Sequence, residues 1–100
     1  MVAMIFEPRG GDVLQWGPGV RLRQDRRRNQ MVLLTPEAAI VPDPIALAIL
    51  EKIDAESTFS EIVDRLVEEF DGAEREQIRI DSAALLGGLI EKGFLLRGPL

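Results

Sequence analysis

The residues MVLLTPEAAIVPDPIALAIL, from Met31 to Leu50, contain the change from strand to helix that decides the fold. The first half holds two short runs of β-forming residues separated by Thr-Pro-Glu, which predicts two strands joined by a turn. The second run ends at Pro42, and the spacing of apolar residues then becomes helical. Asp43 is a favourable N-cap, and Pro44 occupies the first helical position, where its missing N–H costs nothing.

A further strand is predicted just before this stretch, at residues 20–24. Its sequence, VRLRQ, alternates apolar and polar side chains, which is the period of a half-buried strand. A polar turn, DRRRN, joins it to the strand at 30–35, and the third strand follows at 38–41. Because turns this short permit only antiparallel neighbours, the pattern predicts a three-stranded meander.

Three helices are predicted after the strands. The first is apolar on nearly every side and should be buried. Thr58 and Glu61 have the spacing of a capping box at the start of the second helix, and Gly72 is expected to end it. The third helix should span about residues 74–92. The side chains expected in the core from the second helix are Ile62, Val63, Leu66, Val67 and Phe70. On the third helix they are Ile78, Leu85 and Leu89, with Leu86 and Ile90 as further candidates.

Three strands followed by three helices are the parts of a winged helix-turn-helix, an α+β fold. Gly87 and Gly88 lie inside the third helix, which indicates that another backbone approaches closely or that the helix bends. The apolar tail at residues 94–97 is expected to pair as a strand or to pack against the body.

Residues 1–19 are rich in Gly and Pro and show no sustained period. They are predicted to form a flexible lead-in, so that the folded domain spans residues 20–100. Their short apolar pieces, at 2–6 and 13–16, leave open that they dock on the body or on a neighbouring chain. Trp16 is expected to fold back over the core, the alternative being an anchor at a protein interface.

The composition argues against catalysis. The 100-residue chain contains no His and no Cys, which removes the usual general base, thiolate metal sites and disulfides. A carboxylate pair would need a concave site that so short a chain can rarely enclose. No apolar run approaches the roughly 20 residues of a membrane span, and the N-terminus lacks the pattern of a secretory signal. We therefore expect a cytoplasmic protein that is not an enzyme and has no metal site and no membrane partner.

The charge is unevenly distributed, which bears on nucleic-acid binding. Residues 1–42 carry six arginines and four acidic residues, a net of +2, whereas residues 43–100 carry six basic and thirteen acidic residues, a net of −7. A DNA-binding domain needs a basic face, because phosphate neutralisation supplies most of the affinity. The third helix, which would be the recognition helix, begins EREQIRID and is too acidic for a DNA groove. The sequence thus disfavours a nucleic-acid partner.

Two surface features remain for function. The strand at 38–41 is the last of the meander, and it contains no lysine that would disfavour pairing with another strand at its edge. Such an edge is either covered, by residues 1–19 or by a second copy of the chain, or used to bind an extended peptide by strand addition, and the residues alone leave both open. The run Arg26-Arg27-Arg28 is most simply a solvated turn, the alternative being a docking patch for an acidic partner.

Several of these stretches together resemble the PqqD family, small proteins of pyrroloquinoline quinone (PQQ) biosynthesis. The resemblance covers about residues 19–96. Each motif is weak alone, but together they are more specific than any single one. The most specific pieces are VLLTPE at 32–37, the spacing of Ala46, Ile49 and Leu50, Asp54, and TFSEIV at 58–63.

The resemblance implies a recognition element for RiPPs, the ribosomally made and later modified peptides, rather than an enzyme. It implies that the chain binds the precursor peptide PqqA and presents it to the radical-SAM enzyme PqqE, with no cofactor of its own. In the family the peptide adds to the third strand and packs against the third helix. Carried over to this sequence, the implied peptide-binding residues are Ala38, Ala39, Ile40, Val41, Ile78, Asp81, Ser82 and Leu85.

Two alternative functions are kept beside this one. The first is a recognition element of another peptide-modification pathway, and the second, from a different class, is a winged-helix transcription regulator, which the charge disfavours. In dilute solution a monomer is expected. The glycine-rich lead-in and the short turns would permit dimers by strand exchange at high concentration.

Overall fold

The order of elements along the chain follows the sequence prediction, with one additional strand near the N-terminus. The computed structural model describes residues 5–98. Its strands are β1 (Val13–Trp16), β2 (Arg21–Asp25), β3 (Gln30–Leu34), β4 (Ala39–Ile40) and β5 (Leu95–Gly98). Between residues 44 and 91 its helices are α1 (Pro44–Leu50), α2 (Phe59–Glu69) and α3 (Arg75–Glu91). The predicted α+β fold, with an antiparallel meander followed by three helices, is confirmed, whereas the name winged helix-turn-helix stays a prediction.

The meander forms a sheet in the order β2-β3-β4, so that β4 lies at an edge. Leu33 of β3 pairs with Leu22 on one side and with Ile40 on the other. Because Leu33 belongs to the hydrophobic core, the face that carries these three residues is the inner face of the sheet. The neighbouring pair, Leu34 and Ala39, projects from the opposite face, since successive side chains alternate.

A two-residue Pro-Glu turn positions β4. The N–H of Thr35 donates to the carbonyl of Ala38 at 2.9 Å. The hydroxyl oxygen of Thr35 accepts hydrogen bonds from the N–H groups of Glu37 and Ala38, at 3.2 and 3.0 Å. Ala38 therefore belongs to the turn, and β4 is shorter than the strand expected at 38–41.

The expected lead-in of residues 1–19 needs correction, because its second half is part of the folded domain. β1 pairs antiparallel with β5, and Leu14 lies opposite Arg97. Leu14 is 0% exposed and belongs to the core. Trp16 packs, partly buried, against the same core, as the favoured interpretation expected. The tail after α3 pairs as a strand, and β1 is its partner.

The residues just before β1 also contact the body. The Arg97 guanidinium donates to the carbonyl oxygens of Ile5 and Glu7, at 2.7 and 2.6 Å. A Cβ at Gly87 would lie 3.3 Å from the backbone of Glu7, so the glycine permits this segment to approach α3 closely. Of the two alternatives that the glycine pair left open, Gly87 shows the close approach of another backbone, whereas nothing lies within 4 Å of a Cβ at Gly88. The apolar piece at 2–6 lies mostly outside the described residues.

The helix starts follow the sequence prediction. Asp43 accepts a hydrogen bond from the Ala46 N–H at 2.8 Å and caps α1. Both halves of the α2 capping box form: the Glu61 N–H donates to the Thr58 hydroxyl at 3.2 Å, and the Thr58 N–H donates to the Glu61 carboxylate at 2.8 Å. No helix within residues 5–98 is both long enough and apolar enough to span a membrane.

The buried face of α3 differs from the predicted one. Leu66 of α2 is 1% exposed, as expected of a core residue. On α3, however, Leu85 and Leu89 are only partly buried, as is Ile78. The buried residues of α3 are Ser82, Ala83, Leu86 and Gly87, and of these only Leu86 was among the expected candidates. The helix is therefore rotated relative to the expected stripe, and Leu85 lies towards the surface.

Asp54 holds the corner between α1 and α2. One of its carboxylate oxygens accepts the N–H groups of Ser57 and Glu56 at 2.7 and 3.0 Å, and the other accepts the Ser57 hydroxyl at 2.9 Å. The Arg65 guanidinium donates to the same hydroxyl at 2.8 Å and lies 3.8 Å from Asp54. These bonds, above all the one from the Ser57 backbone, hold the pKa of Asp54 below its ordinary value of 3.8.

Truncating Leu14 tests whether β1 is part of the core. Leu14→Ala should lower the free energy of unfolding by about 2–5 kcal/mol, because it leaves a cavity at a fully buried position. Leu96→Ala, at a residue of β5 that is 40% exposed, is the matched control and should cost less than about 1 kcal/mol. Urea unfolding measures both. A Leu14→Ala variant as stable as its parent would show that the strand is dispensable.

The corner at Asp54 predicts a pH-dependent stability. The folded-state pKa is lowered, so the carboxylate stabilises the fold above the unfolded pKa and loses this effect as the pH falls through the folded value. Asp54→Asn should therefore lower the free energy of unfolding by about 1 kcal/mol at pH 7, a value reduced by solvent exposure, and the loss should shrink below about pH 4. Asp71→Asn, at an exposed carboxylate, is the control for a general charge effect. Equal losses at pH 7 and pH 2.5 for Asp54→Asn would contradict the assignment.

Candidate peptide-binding site

The outer edge of β4 is accessible. Residues 38–41 are all exposed, and Ile40 and Val41 are 40% and 53% exposed. Within residues 5–98, β4 pairs with β3 alone. The alternative in which the lead-in covers this edge fails for its described part, because β1 pairs with β5 instead.

The ladder decides which backbone groups of β4 face outwards. The Thr35 N–H bonds to the Ala38 carbonyl, so Thr35 and Ala38 form a hydrogen-bonded pair. In an antiparallel ladder bonded and non-bonded pairs alternate, which makes Leu34 and Ala39 a non-bonded pair. The N–H and the C=O of Ala39 therefore point away from the sheet, whereas those of Ile40 point towards β3.

A groove between α1 and α3 lies next to this edge along the chain. Val41 is followed by Pro42 and by the N-cap of α1, so the chain leads directly from the edge into the groove wall. The groove holds two adjoining spaces, of about 530 and 450 Å³, and Ile45, Ile49 and Asp81 line both. Its floor and walls are mainly aliphatic, as a peptide-binding groove requires.

All four site residues predicted on α3 lie in this groove. Leu85 lines the larger space, and Ile78 and Ser82 line the smaller one. Asp81 is exposed between them, whereas Ser82 is 1% exposed and forms part of the floor. Because α3 is rotated relative to the expected stripe, Leu85 lies in the wall of the groove rather than in the core.

Sequence reasoning missed several groove residues. α1 was expected to be buried on nearly every side, yet Ile45 is 63% exposed and stands between the two spaces. Phe70, at the end of α2, lines the smaller space. At the other end of β4, Lys92 and Phe94 line a third space of about 330 Å³ together with Ile40. The sequence offered one signal for an exposed apolar side of α1, namely the aliphatic residue Ile45 in the first turn of a short helix.

The groove carries negative charge. Asp43 and Asp81 line the larger space, and Glu74 and Asp81 line the smaller one, with no basic residue in either lining. The amide of Gln77 donates to Asp81 at 2.8 Å and fixes the orientation of this carboxylate. An apolar groove with a carboxylate at its centre suits a segment that combines aliphatic and basic side chains.

A comparison with protein families adds a decisive observation. The family model described as "Coenzyme PQQ synthesis protein D (PqqD)" matches residues 30–95, which include β3, β4 and all three helices from α1 to α3. The chain belongs to the PqqD family. The matched region contains both the edge strand and the groove.

Curated relatives of this PqqD-family chain carry a consistent name. The PqqA binding protein of Xanthomonas axonopodis pv. citri is 42% identical over 77 residues, covering 77% of the chain and 83% of the relative. The PqqA binding protein of Rhodopseudomonas palustris strain BisB5 is 40% identical over 75 residues, or 75% and 72% of the two chains. The bifunctional coenzyme PQQ synthesis protein C/D of Methylorubrum extorquens is 40% identical over 88 residues, which are 23% of that longer protein.

Solved structures of the family show the same fold. The solution NMR structure of the PqqD truncation of Methylobacterium extorquens PqqCD, described as a functional and stand-alone RiPP recognition element, has a TM-score of 0.73 and 37% identity. It covers 97% of this chain and 100% of the other. The crystal structure of PqqD from Xanthomonas campestris has a TM-score of 0.51 and 39% identity, over 75% and 82% of the two chains.

Proposed function

We propose that this PqqD-family chain is a peptide chaperone of PQQ biosynthesis, which binds the precursor peptide PqqA by strand addition to β4 and presents it to the radical-SAM enzyme PqqE. The chain itself contributes no catalytic group. Family membership and the names of the relatives support the ligand, and the observation that carries the site is the exposed edge of β4 beside an apolar groove.

Strand addition accounts for the chemistry of the edge. An incoming extended segment bonds its main chain to the outward N–H and C=O of Ala39, which requires no particular side chain. Alternate side chains of the added strand then face inwards. The inward set enters the groove and contacts Ile45, Ile78 and Leu85, so that the groove supplies the selectivity that the backbone bonds lack.

The carboxylates of the groove restrict which peptide fits. Asp43, Glu74 and Asp81 attract a basic side chain and repel an acidic one, and because all three are exposed this attraction weakens with salt. We therefore propose that the bound segment of the precursor carries Lys or Arg beside its aliphatic anchors. A recognition element of another peptide-modification pathway would use the same edge with a different groove.

The structure gives a second reason to disfavour a DNA-binding role. The two arginines in the first half of α3 are already engaged: Arg75 pairs with Asp64, and Arg79 pairs with Glu76. The pKa of Arg79 is raised and that of Glu76 is lowered by this hydrogen-bonded pair. A helix whose cations are paired with carboxylates of the same chain is expected to bind a phosphate backbone weakly.

Proline at Ala39 tests strand addition. Ala39→Pro removes the outward N–H and places a ring where the added strand must lie, so it should weaken PqqA binding by roughly tenfold or more. The bonds between β3 and β4 do not use this N–H, and the variant should stay folded. Isothermal titration calorimetry measures the affinity, and circular dichroism checks the fold.

The opposite edge of the sheet supplies a matched control. Leu22 of β2 lies opposite Leu33, whose backbone groups face β4, so Leu22 and, two residues on, Gln24 point their N–H groups away from β3. Gln24→Pro is therefore the same change on the other edge strand and should leave PqqA binding unchanged. If Gln24→Pro abolishes binding and Ala39→Pro does not, the peptide adds to β2 and the proposed site is wrong.

Neutralising Asp81 tests the charge preference of the groove. Asp81→Asn keeps a polar side chain of the same size and should weaken PqqA binding several-fold at low salt, with a smaller difference at about 1 M salt. Glu68→Gln, at an exposed position of α2 outside the groove, is the control for the loss of one negative charge. A peptide whose Lys and Arg are replaced by Gln should bind parent and Asp81→Asn equally. Equal effects of Asp81→Asn and Glu68→Gln would leave the groove carboxylate without a role.

A further inference from the structure

A small pocket lies beside the exposed edge, on the side of the turn that leads into β4. It has a volume of about 330 Å³ and is lined by Thr35, Glu37, Ala38, Ile40, Lys92 and Phe94. None of these residues lines the groove between α1 and α3. We call this space the Phe94 pocket. It is a separate cavity beside the same edge.

The floor of the Phe94 pocket is held in place by backbone hydrogen bonds. Gly93, with a φ of 79°, follows the C-cap of α3 and adopts the left-handed conformation that ends many helices. The Phe94 N–H donates to the Leu89 carbonyl at 2.9 Å, and the Phe94 carbonyl accepts the Gly17 N–H at 2.8 Å. Phe94 itself is 8% exposed. Because both backbone groups of Phe94 are bonded, the pocket is preformed, and a side chain that enters it needs little reordering of the protein.

An added strand would direct side chains towards this pocket. The peptide residue opposite Ala39 shares the face of the Ala39 side chain, which points away from the core. The peptide residues on either side of it then point inwards, to the face that carries Ile40. Ile40 is 40% exposed on this inner side, so its side chain is available to such a neighbour. Inward side chains recur at every second residue, roughly 7 Å apart.

The Phe94 pocket and the groove lie within reach of one extended segment. Leu85 lines the groove, and Lys92 lines the Phe94 pocket. These two residues are seven positions, or two helical turns, apart, so they share one side of α3 and are separated by about 10 Å along its axis. An extended segment of about four or five residues spans this distance. Two inward side chains of the same strand can therefore occupy both spaces.

The chemistry of the Phe94 pocket differs from that of the groove. Phe94, Ile40 and Ala38 supply apolar surface. The two charged residues in the lining, Lys92 and Glu37, have opposite signs, so the lining has no net charge. The charged residues that line the groove are all carboxylates. A space of about 330 Å³, at the lower end of ligand-pocket volumes, suits one uncharged aliphatic or aromatic side chain.

We propose that the Phe94 pocket is a second side-chain subsite of the peptide site and binds an uncharged aliphatic or aromatic residue of the precursor. This inference rests on the proposed function. The groove binds one anchor of the added strand, and the Phe94 pocket binds a second anchor that lies an even number of positions away. An odd spacing would turn one of the two side chains to the other face of the sheet. Recognition therefore depends on the spacing of the two anchors as well as on their chemistry.

Two variants of the pocket test this subsite with PqqA as the ligand. Ala38→Trp fills the pocket and should weaken PqqA binding roughly tenfold or more. Its matched control is Gln24→Trp, in a depression of about 250 Å³ beside the opposite edge strand, which should bind as the parent does. Ile40→Ala removes apolar surface and should weaken binding several-fold, whereas Leu96→Ala, at an equally exposed residue of β5, should not. Calorimetry measures the affinities, and circular dichroism checks the fold.

Alanine scanning of PqqA against these variants measures the spacing of the anchors. The peptide residue that occupies the Phe94 pocket should lose affinity on replacement by Ala with the parent, and little more with Ala38→Trp. The residue that occupies the groove should show the same coupling with Leu85→Ala. The two peptide positions should differ by an even number. An odd difference, or a peptide with no position coupled to Ala38→Trp, overturns the inference.

The outcomes separate the subsite from the proposed function. Parent affinity in Ala38→Trp and Ile40→Ala, with binding abolished by Ala39→Pro, overturns the subsite and leaves strand addition intact. Equal losses in the variants and their controls also overturn it. If the two variants change self-association and leave PqqA binding unchanged, the pocket belongs to a contact between copies, and the inference is wrong. Ile40→Ala decides the matter where Ala38→Trp does not fold. Absence of PqqA binding by the parent would instead refute the proposed function.

Discussion

The burial of Leu14 is the constraint on which the rest of the structure depends. Its N–H faces the Ser57 carbonyl at 3.5 Å and its carbonyl accepts the Ala55 N–H at 3.1 Å, so β1 is tied to the corner between α1 and α2. On its other side β1 pairs with β5, which follows α3. One strand thus links the corner after α1 to the strand that follows α3. These two helices are the walls of the groove.

The edge of β4 depends on a second local constraint, the turn closed by Thr35. Because this turn sets the register, it also decides that Ala39, rather than Ile40, presents its backbone groups outwards. A shift by one residue would exchange the two faces of the strand. The same register sends the Ala39 side chain to the face of the sheet that points away from the core. The exposed edge and the orientation of its side chains are therefore set by one hydrogen-bonded turn.

Local signals in the sequence predicted local structure well. The capping box of Thr58 and Glu61 and the Asp43 N-cap specify helix starts through bonds within three residues, so the pattern alone suffices. The strand at 13–16 was missed because it is stabilised by residues 55–59 and 94–98, which are distant in sequence and leave no periodic mark. The rotation of α3 was missed because Ser82 and Gly87 are buried by close packing, and hydrophobicity assigns such small residues to no face. The edge was predictable from strand order, whereas the exposure of Ile45 depends on how α1 packs against α2 and leaves the groove open beside α3.

The pairing of β1 with β5 also constrains how the chain folds during its synthesis. The ribosome releases residues 13–16 long before residues 95–98, and the partner strand for β1 does not exist until the latter have emerged. Until then Leu14 lacks its neighbours in β5, and the meander and the first helices form only a partial core. Cooperative closure is thereby postponed until residues 95–98 have been released, and nascent chains stalled before residue 95 should be the form most exposed to proteases and chaperones.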